Sequence, residues 1–111
     1  MKPGEKELKA EYRRLRTQLG KTRWISHGYV QDRGPGAGGP CYQWTRKERG
    51  KTVSVALSKE QYEQMREAIA AWREVQDALK RMEQISRTLI FKNTPGPPRR
   101  KPLTRKVLGL N

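Results

Sequence analysis

An α+β fold is predicted by three features of this sequence. An apolar stripe at helical spacing runs through residues 59–90 with no Gly or Pro. Residues 51–57 alternate strictly between polar and apolar. A Gly-Pro-rich stretch at 34–40 separates two segments of β-prone, aromatic character. Together they predict an N-terminal helix, a small antiparallel β-sheet of two or three strands, a long C-terminal helix and a disordered basic tail. With 111 residues, 33% of them apolar, and a mean hydropathy of -1.02, the chain has room for one small domain with a modest core. That domain is expected over 1–91, with the tail over 92–111.

The first helix is expected over 5–19. Leu8, Tyr12, Leu15 and Leu19 fall on one face, and Gly20 stands where a left-handed cap would end it. Lys6, Lys9, Arg13, Arg14 and Arg16 occupy the other face. The first strand is expected at about 25–31, within Trp24-Ile25-Ser26-His27-Gly28-Tyr29-Val30. The Gly-Pro loop follows. Cys41-Tyr42-Gln43-Trp44-Thr45-Arg46-Lys47 and Lys51-Thr52-Val53-Ser54-Val55-Ala56-Leu57 then form a hairpin (strands 41–47 and 51–57) around the turn Glu48-Arg49-Gly50.

Ser58-Lys59-Glu60-Gln61 reads as a capping box opening the long helix, expected over 59–90. Its stripe is Tyr62, Met65, Ile69, Trp72, Val75, Leu79, Met82, Ile85 and Leu89. Such a helix would be a rod of roughly 45–50 Å. The mean step is shorter than the helical period, so the stripe winds around the helix. It suits packing against different elements in turn, or against the helix of a second copy. Asn93-Thr94-Pro95-Gly96-Pro97-Pro98 ends the helix, and Arg99-Arg100-Lys101-Pro102 and Arg105-Lys106 follow.

Charge is unevenly distributed. Residues 1–58 hold 13 Lys/Arg against 5 Asp/Glu, residues 59–90 hold 6 against 6, and residues 91–111 hold 6 against none, giving the net +14. A neutral helical middle between two basic ends suggests a spacer presenting cations at both extremities to a polyanion. Phosphate backbones are the commonest such partner, because each cation that meets a phosphate releases a condensed counterion.

Other chemistry is poorly supplied. The lone Cys41 makes neither an internal disulfide nor a Cys-rich zinc site, and His27 is the only histidine, so no catalytic residue, metal ligand or cofactor is expected. The acids of the long helix alternate with Arg and Lys, as on a solvated surface. Gly20-Lys21-Thr22 and Gly50-Lys51-Thr52 both lack the upstream glycine of a phosphate-binding P-loop. No apolar run is long enough to span a membrane, and no secretory signal follows Met1, so a cytoplasmic protein without membrane association is expected.

The candidate binding residues form three groups. The first is Lys9, Arg13, Arg14, Arg16, Lys21 and Arg23. The second is the hairpin, where Arg46, Lys47, Arg49 and Lys51 surround the tip and Tyr42 is the aromatic expected to stack on unpaired bases. Trp44 is expected to pack instead on the long helix. Arg33, beside the Gly-rich loop, keeps an anion contact open. The third group is Arg99, Arg100, Lys101, Arg105 and Lys106.

Gly28-Tyr29-Val30-Gln31-Asp32-Arg33, Gly39-Pro40-Cys41-Tyr42-Gln43-Trp44-Thr45-Arg46-Lys47 and Gly50-Lys51-Thr52-Val53-Ser54-Val55-Ala56-Leu57-Ser58, followed by the Arg/Glu-rich helix, resemble a family of small basic prokaryotic proteins catalogued as a domain of unknown function. The resemblance covers about residues 8–90. It implies the order hairpin then long helix, and an association with mobile elements. Longer members carry a zinc-knuckle-like set of cysteines and a His between the first two strands; this chain has no ligand there before Cys41, so the resemblance implies no metal here.

The expected function is non-enzymatic binding of RNA or DNA through backbone and shape, with RNA slightly favoured, in an accessory protein of a mobile element. The alternative is a helical interaction or adaptor protein, in which the long helix forms a homodimer or docks on a larger enzyme.

Overall fold

A computed structural model describes residues 4–36, 38, 39 and 41–110. Five elements follow in order: α1 (Glu5–Gly20), β1 (Tyr29–Asp32), β2 (Tyr42–Glu48), β3 (Lys51–Leu57) and α2 (Lys59–Asn93). The three strands form one antiparallel sheet in the order β1-β2-β3. The architecture is α+β.

The chain divides into two compact units. One comprises Met1–Lys21 with Gln76–Asn111, the other Thr22–Val75. The basic N-terminal helix and the basic tail, which a spacer would hold apart, therefore belong to one unit.

In the first unit, the start of α1 is shaped by acids. Gly4 is its N-cap, its backbone N–H donating to Glu7 Oε2 at 3.3 Å, and Glu5 and Glu7 lie where the helix dipole favours negative charge. Gly20 stays within the helix and has no positive φ; Lys21 caps it, donating to the carbonyl of Gln18 at 3.1 Å. Backbone closure at Lys21 makes the expected left-handed glycine unnecessary. The core holds Leu8, Ala78, Ile85 and Leu110, with Ile85 fully buried. Burying such a side chain stabilises by about 1.5–3 kcal/mol. The apolar stripe of α2 shifts here: Ala78 is buried while Leu79 is 42% exposed. Glu11 accepts two hydrogen bonds from Arg81, from Nε at 2.7 Å and Nη2 at 2.8 Å. A fork-to-fork pair of this kind fixes orientation as well as adding energy.

In the tail, residues 95–103 have no helix or strand and are exposed. α2 runs to Asn93, and the Thr94 N–H still donates to the Ile90 carbonyl at 3.0 Å before Pro95 prevents continuation. Residues 104–110 then close a turn. Leu108, Gly109 and Leu110 donate to the carbonyls of Thr104, Lys106 and Arg105 at 3.2, 3.1 and 2.8 Å. Gly109 adopts φ 74, Arg87 Nη1 donates to its carbonyl at 3.3 Å, and Leu110 is buried. The left-handed conformation of Gly109 suits a residue without a Cβ and lets the chain turn just before Leu110.

In the second unit, β2 is the central strand. Tyr29 pairs with Thr45 and Asp32 with Tyr42 on one side; Tyr42 pairs with Leu57 and Glu48 with Lys51 on the other. Thr45 is buried and shares a 3.1 Å hydrogen bond with Ser54 across the ladder. The hairpin turn has positive φ at both central residues, 50° at Arg49 and 81° at Gly50, the arrangement that matches strand twist in a two-residue loop. Ser58 caps α2 reciprocally: its N–H donates to Gln61 Oε1 at 2.9 Å, and the Gln61 N–H donates to Ser58 Oγ at 3.1 Å. Ile69 and Ala71 are buried on this half of α2.

The first strand starts at residue 29, not 25. The Ser26 N–H is taken by the Ala68 carbonyl of α2 at 3.2 Å, so residues before Gly28 are tied to the helix and not to the ladder. Gly28 makes the corner at φ 102; a Cβ there would lie 2.5 Å from Trp44 Nε1 and 2.7 Å from the Thr45 carbonyl oxygen. β2 begins at Tyr42, and one step beyond the Asp32–Tyr42 pair the Arg33 N–H donates to the Cys41 carbonyl at 2.7 Å.

Candidate functional site

The exposed face of α1 carries an open group of cations. Arg13, Arg14 and Lys21 surround a shallow depression with Ala10, Thr17 and Gln18, which helical spacing places on the side away from Leu8. All three cations are exposed, and among the described residues no carboxylate forms an ion pair with them or with Arg16. Thr17 and Gln18 add hydrogen-bonding groups without negative charge. Beside this face, Lys9, Arg13 and Arg16 edge a groove whose floor is Tyr12, Ile85, Leu89 and Ile90. Lys9 is already engaged with Glu5 at 2.9 Å, and Lys9 holds the Glu5 carboxyl below its ordinary range.

Arg99, Arg100 and Lys101 stay exposed but are not adrift: with Phe91, Pro97, Leu103 and Leu108 they line a hollow at the end of α2. Arg105 and Lys106 lie in the closing turn and are exposed. The unit that contains α1 and the tail carries 16 Lys/Arg against 5 Asp/Glu, whereas the sheet unit carries 9 against 6. Most of the surplus that the sequence assigns to two ends is thus brought into one body.

The hairpin group is less available than its sequence suggests. Tyr42 is half-buried, its ring 4.9 Å from that of Tyr62 on α2. Arg46 lies over Trp44 at 4.6 Å and pairs with Glu48 at 3.2 Å. Lys47 donates to Thr52 Oγ1 at 2.7 Å. Arg49 and Lys51 remain exposed at the tip. Trp44 is half-buried, and its indole N–H donates to the His27 carbonyl at 3.0 Å, which holds the 22–28 segment against the sheet.

Around Arg33, Gly34, Gly36, Gly38 and Gly39 all have positive φ, and the Gly34 N–H is taken by Asp32 Oδ1 at 2.9 Å; Ala37, in the same loop, lies outside the described residues. An acid accepting from the first loop amide works against an anion at that end of the loop. His27 is exposed, its ring edge-on to Trp44 with 6.5 Å between centroids, and Cys41 is a half-buried free thiol. Among the described residues no group of three or more His, Cys, Asp or Glu is placed to hold a metal ion, and no helix is long and apolar enough to cross a membrane.

Sequence reasoning missed Trp24. It is 85% exposed, next to the exposed Arg23, and shares a cleft with Gln64, Glu67 and Ala68 of α2. The only signal in the sequence is that Trp24 stands outside the alternating pattern of any strand. Comparison with known proteins finds no matching family model, no similar curated protein and no similar solved structure.

Proposed function

We propose that this chain is a non-enzymatic nucleic-acid-binding protein that reads phosphate backbone and shape, with RNA slightly favoured over DNA. The observation that carries this reading is the open cationic face of α1, Arg13, Arg14 and Lys21 with no ion-paired carboxylate among the described residues, in a unit to which the basic tail also belongs. Cations that no carboxylate pairs keep most of their attraction for a polyanion, and each one that meets a phosphate releases counterions. Nothing in the α1 face supplies a base-reading pattern, so affinity there depends on charge and geometry. The protein then works in the cytoplasm, in the accessory role to a mobile element that the family resemblance implies.

Titration of labelled RNA across a salt series tests this. Changing Arg13, Arg14 and Lys21 together to Gln is expected to weaken binding and to lower the slope of log K against log salt by about 2–3, close to one unit for each phosphate that these cations neutralise. Failure of the unaltered protein to bind RNA or DNA at physiological ionic strength would overturn the proposal.

An adaptor role has a different observation in its favour: Leu79, Ile90 and Phe91 of α2 are 42%, 57% and 48% exposed. It requires concentration-dependent dimerisation, or a protein complex, that persists without nucleic acid, which sedimentation at low and high concentration reads directly.

A further inference from the structure

Most aromatic residues of the sheet unit are occupied with one another or with the protein; Tyr29 of β1 is 56% exposed, and Trp24 is more exposed still. Tyr42 meets Tyr62, and Trp44 is covered by Arg46 and donates to His27. Trp72 is half-buried on α2. Trp24 is 85% exposed, the most exposed of the large hydrophobic residues described. Its segment is nevertheless pinned. Two residues on, the Ser26 N–H is held by Ala68, and at His27 the carbonyl is held by Trp44. An exposed indole on a tethered segment loses little freedom when a ligand covers it, which is how a stacking surface gains affinity.

The surroundings of the ring define what fits. Gln64, Glu67 and Ala68 are three, then one, residues apart on α2, so they share a face of the helix, and all three line the cleft with Trp24. Ala68 leaves space beside the ring. Gln64 offers both an amide donor and an acceptor, and Glu67 accepts only. A flat, aromatic ligand with N–H donors on its edge satisfies both kinds of group. Arg23, adjacent in sequence and exposed, has no ion pair among the described residues and is placed to meet a phosphate.

We propose that Trp24, Arg23, Gln64 and Glu67 form a site for one unpaired nucleobase and its phosphate, the base stacking on Trp24 with its edge toward Gln64 and Glu67. The inference rests on the nucleic-acid reading and adds a substrate class to it: single-stranded segments or loops, in preference to uniform duplex. A paired base has its edge groups engaged and its faces covered by neighbours, so it offers this cleft nothing; an unpaired base offers both. The α1 face, by contrast, meets phosphates of either form.

The test compares the full chain with its Trp24→Ala and Trp24→Phe variants in fluorescence-anisotropy titrations. The probes are a single-stranded RNA and an RNA hairpin duplex with the same number of phosphates. Trp24→Ala is expected to lose about tenfold or more in affinity for the single strand, the effect of removing one base stack, and to keep its affinity for the duplex. Trp24→Phe is expected to retain most of the single-strand affinity. Because the ring is exposed, circular dichroism of both variants is expected to match the unaltered protein. Unchanged single-strand affinity in Trp24→Ala would overturn the base site, would leave the α1 reading intact and would point to Trp24 as a protein contact. Equal losses on both probes would also overturn it. If the unaltered protein binds neither probe, the nucleic-acid reading itself fails, and that outcome is read before any variant is compared.

Discussion

Arg49 sits, exposed, where backbone conformation and charge pull apart. It is the only described non-glycine residue with positive φ, at 50°, in the first central position of the hairpin turn. A side chain with a Cβ costs roughly 1–2 kcal/mol in that region, and Asn tolerates it better because its short side chain bonds locally. Arg49→Asn is therefore expected to raise stability by about 0.5–1 kcal/mol in urea titrations, and to weaken RNA binding if the tip meets phosphate. A variant that is more stable yet binds less tightly would separate the tip's charge from its fold. Stability that falls on this change would show that the arginine side chain holds the turn. The dipeptide Arg-Gly already announced this turn in the sequence. Gly28 did not announce itself in the same way: its requirement comes from Trp44 and Thr45, which approach only once β1 and β2 have paired.

Among the elements, α1 and α2 share one ion pair whose worth changes with pH. Hydrogen bonds from Arg81, together with its charge, hold the Glu11 carboxyl below its ordinary range, and the Arg81 guanidinium is raised in turn. Glu11 is the acid of the pair, and its folded value is the depressed one. The stabilisation is thus fully present above the ordinary glutamate range and is lost as pH falls through the lowered folded value. Glu11→Gln is expected to cost about 1 kcal/mol at neutral pH, a figure kept small because both side chains are partly solvated. The difference between variant and parent is expected to shrink once the pH falls below the ordinary glutamate range, and to vanish when Glu11 is protonated in both states. Denaturation of both proteins at neutral and acid pH checks it, and a gap that persists in acid would mean Gln disturbs packing instead of charge. The pair was not legible in the sequence, since Glu11 and Arg81 lie 70 positions apart. What was legible was local: the Ser58–Gln61 box and the existence of β3 and α2 follow from neighbours within a turn or a strand, whereas Val55 and Leu79, expected on the buried faces, are 41% and 42% exposed.

For the whole molecule, the decisive fact is that the two chain ends share a unit. The sequence places positive charge at 1–58 and 91–111 and a neutral helix between them, which suggests separation. Instead α1 and the tail belong with the second half of α2, and the surplus concentrates there. Leu110 is the tail's buried anchor. Leu110→Ala is expected to lower stability by about 1.5–3 kcal/mol and to speed proteolysis after Arg99, Arg100 and Lys101. Unchanged cleavage rates would show that the turn at 104–110 does not restrain the basic segment.

The sequence by itself determined the elements, their order and the total charge, because helical and strand periodicity, capping chemistry and turn residues act over a few positions and need no partner. It did not determine which charges end up together, which aromatics stay open, or that Leu110 is buried. Those depend on pairings between residues far apart in the chain: Glu11 with Arg81, Tyr42 with Tyr62, Arg87 with Gly109. Each forms only when packing has already brought the elements within reach, so only the tertiary structure decides them.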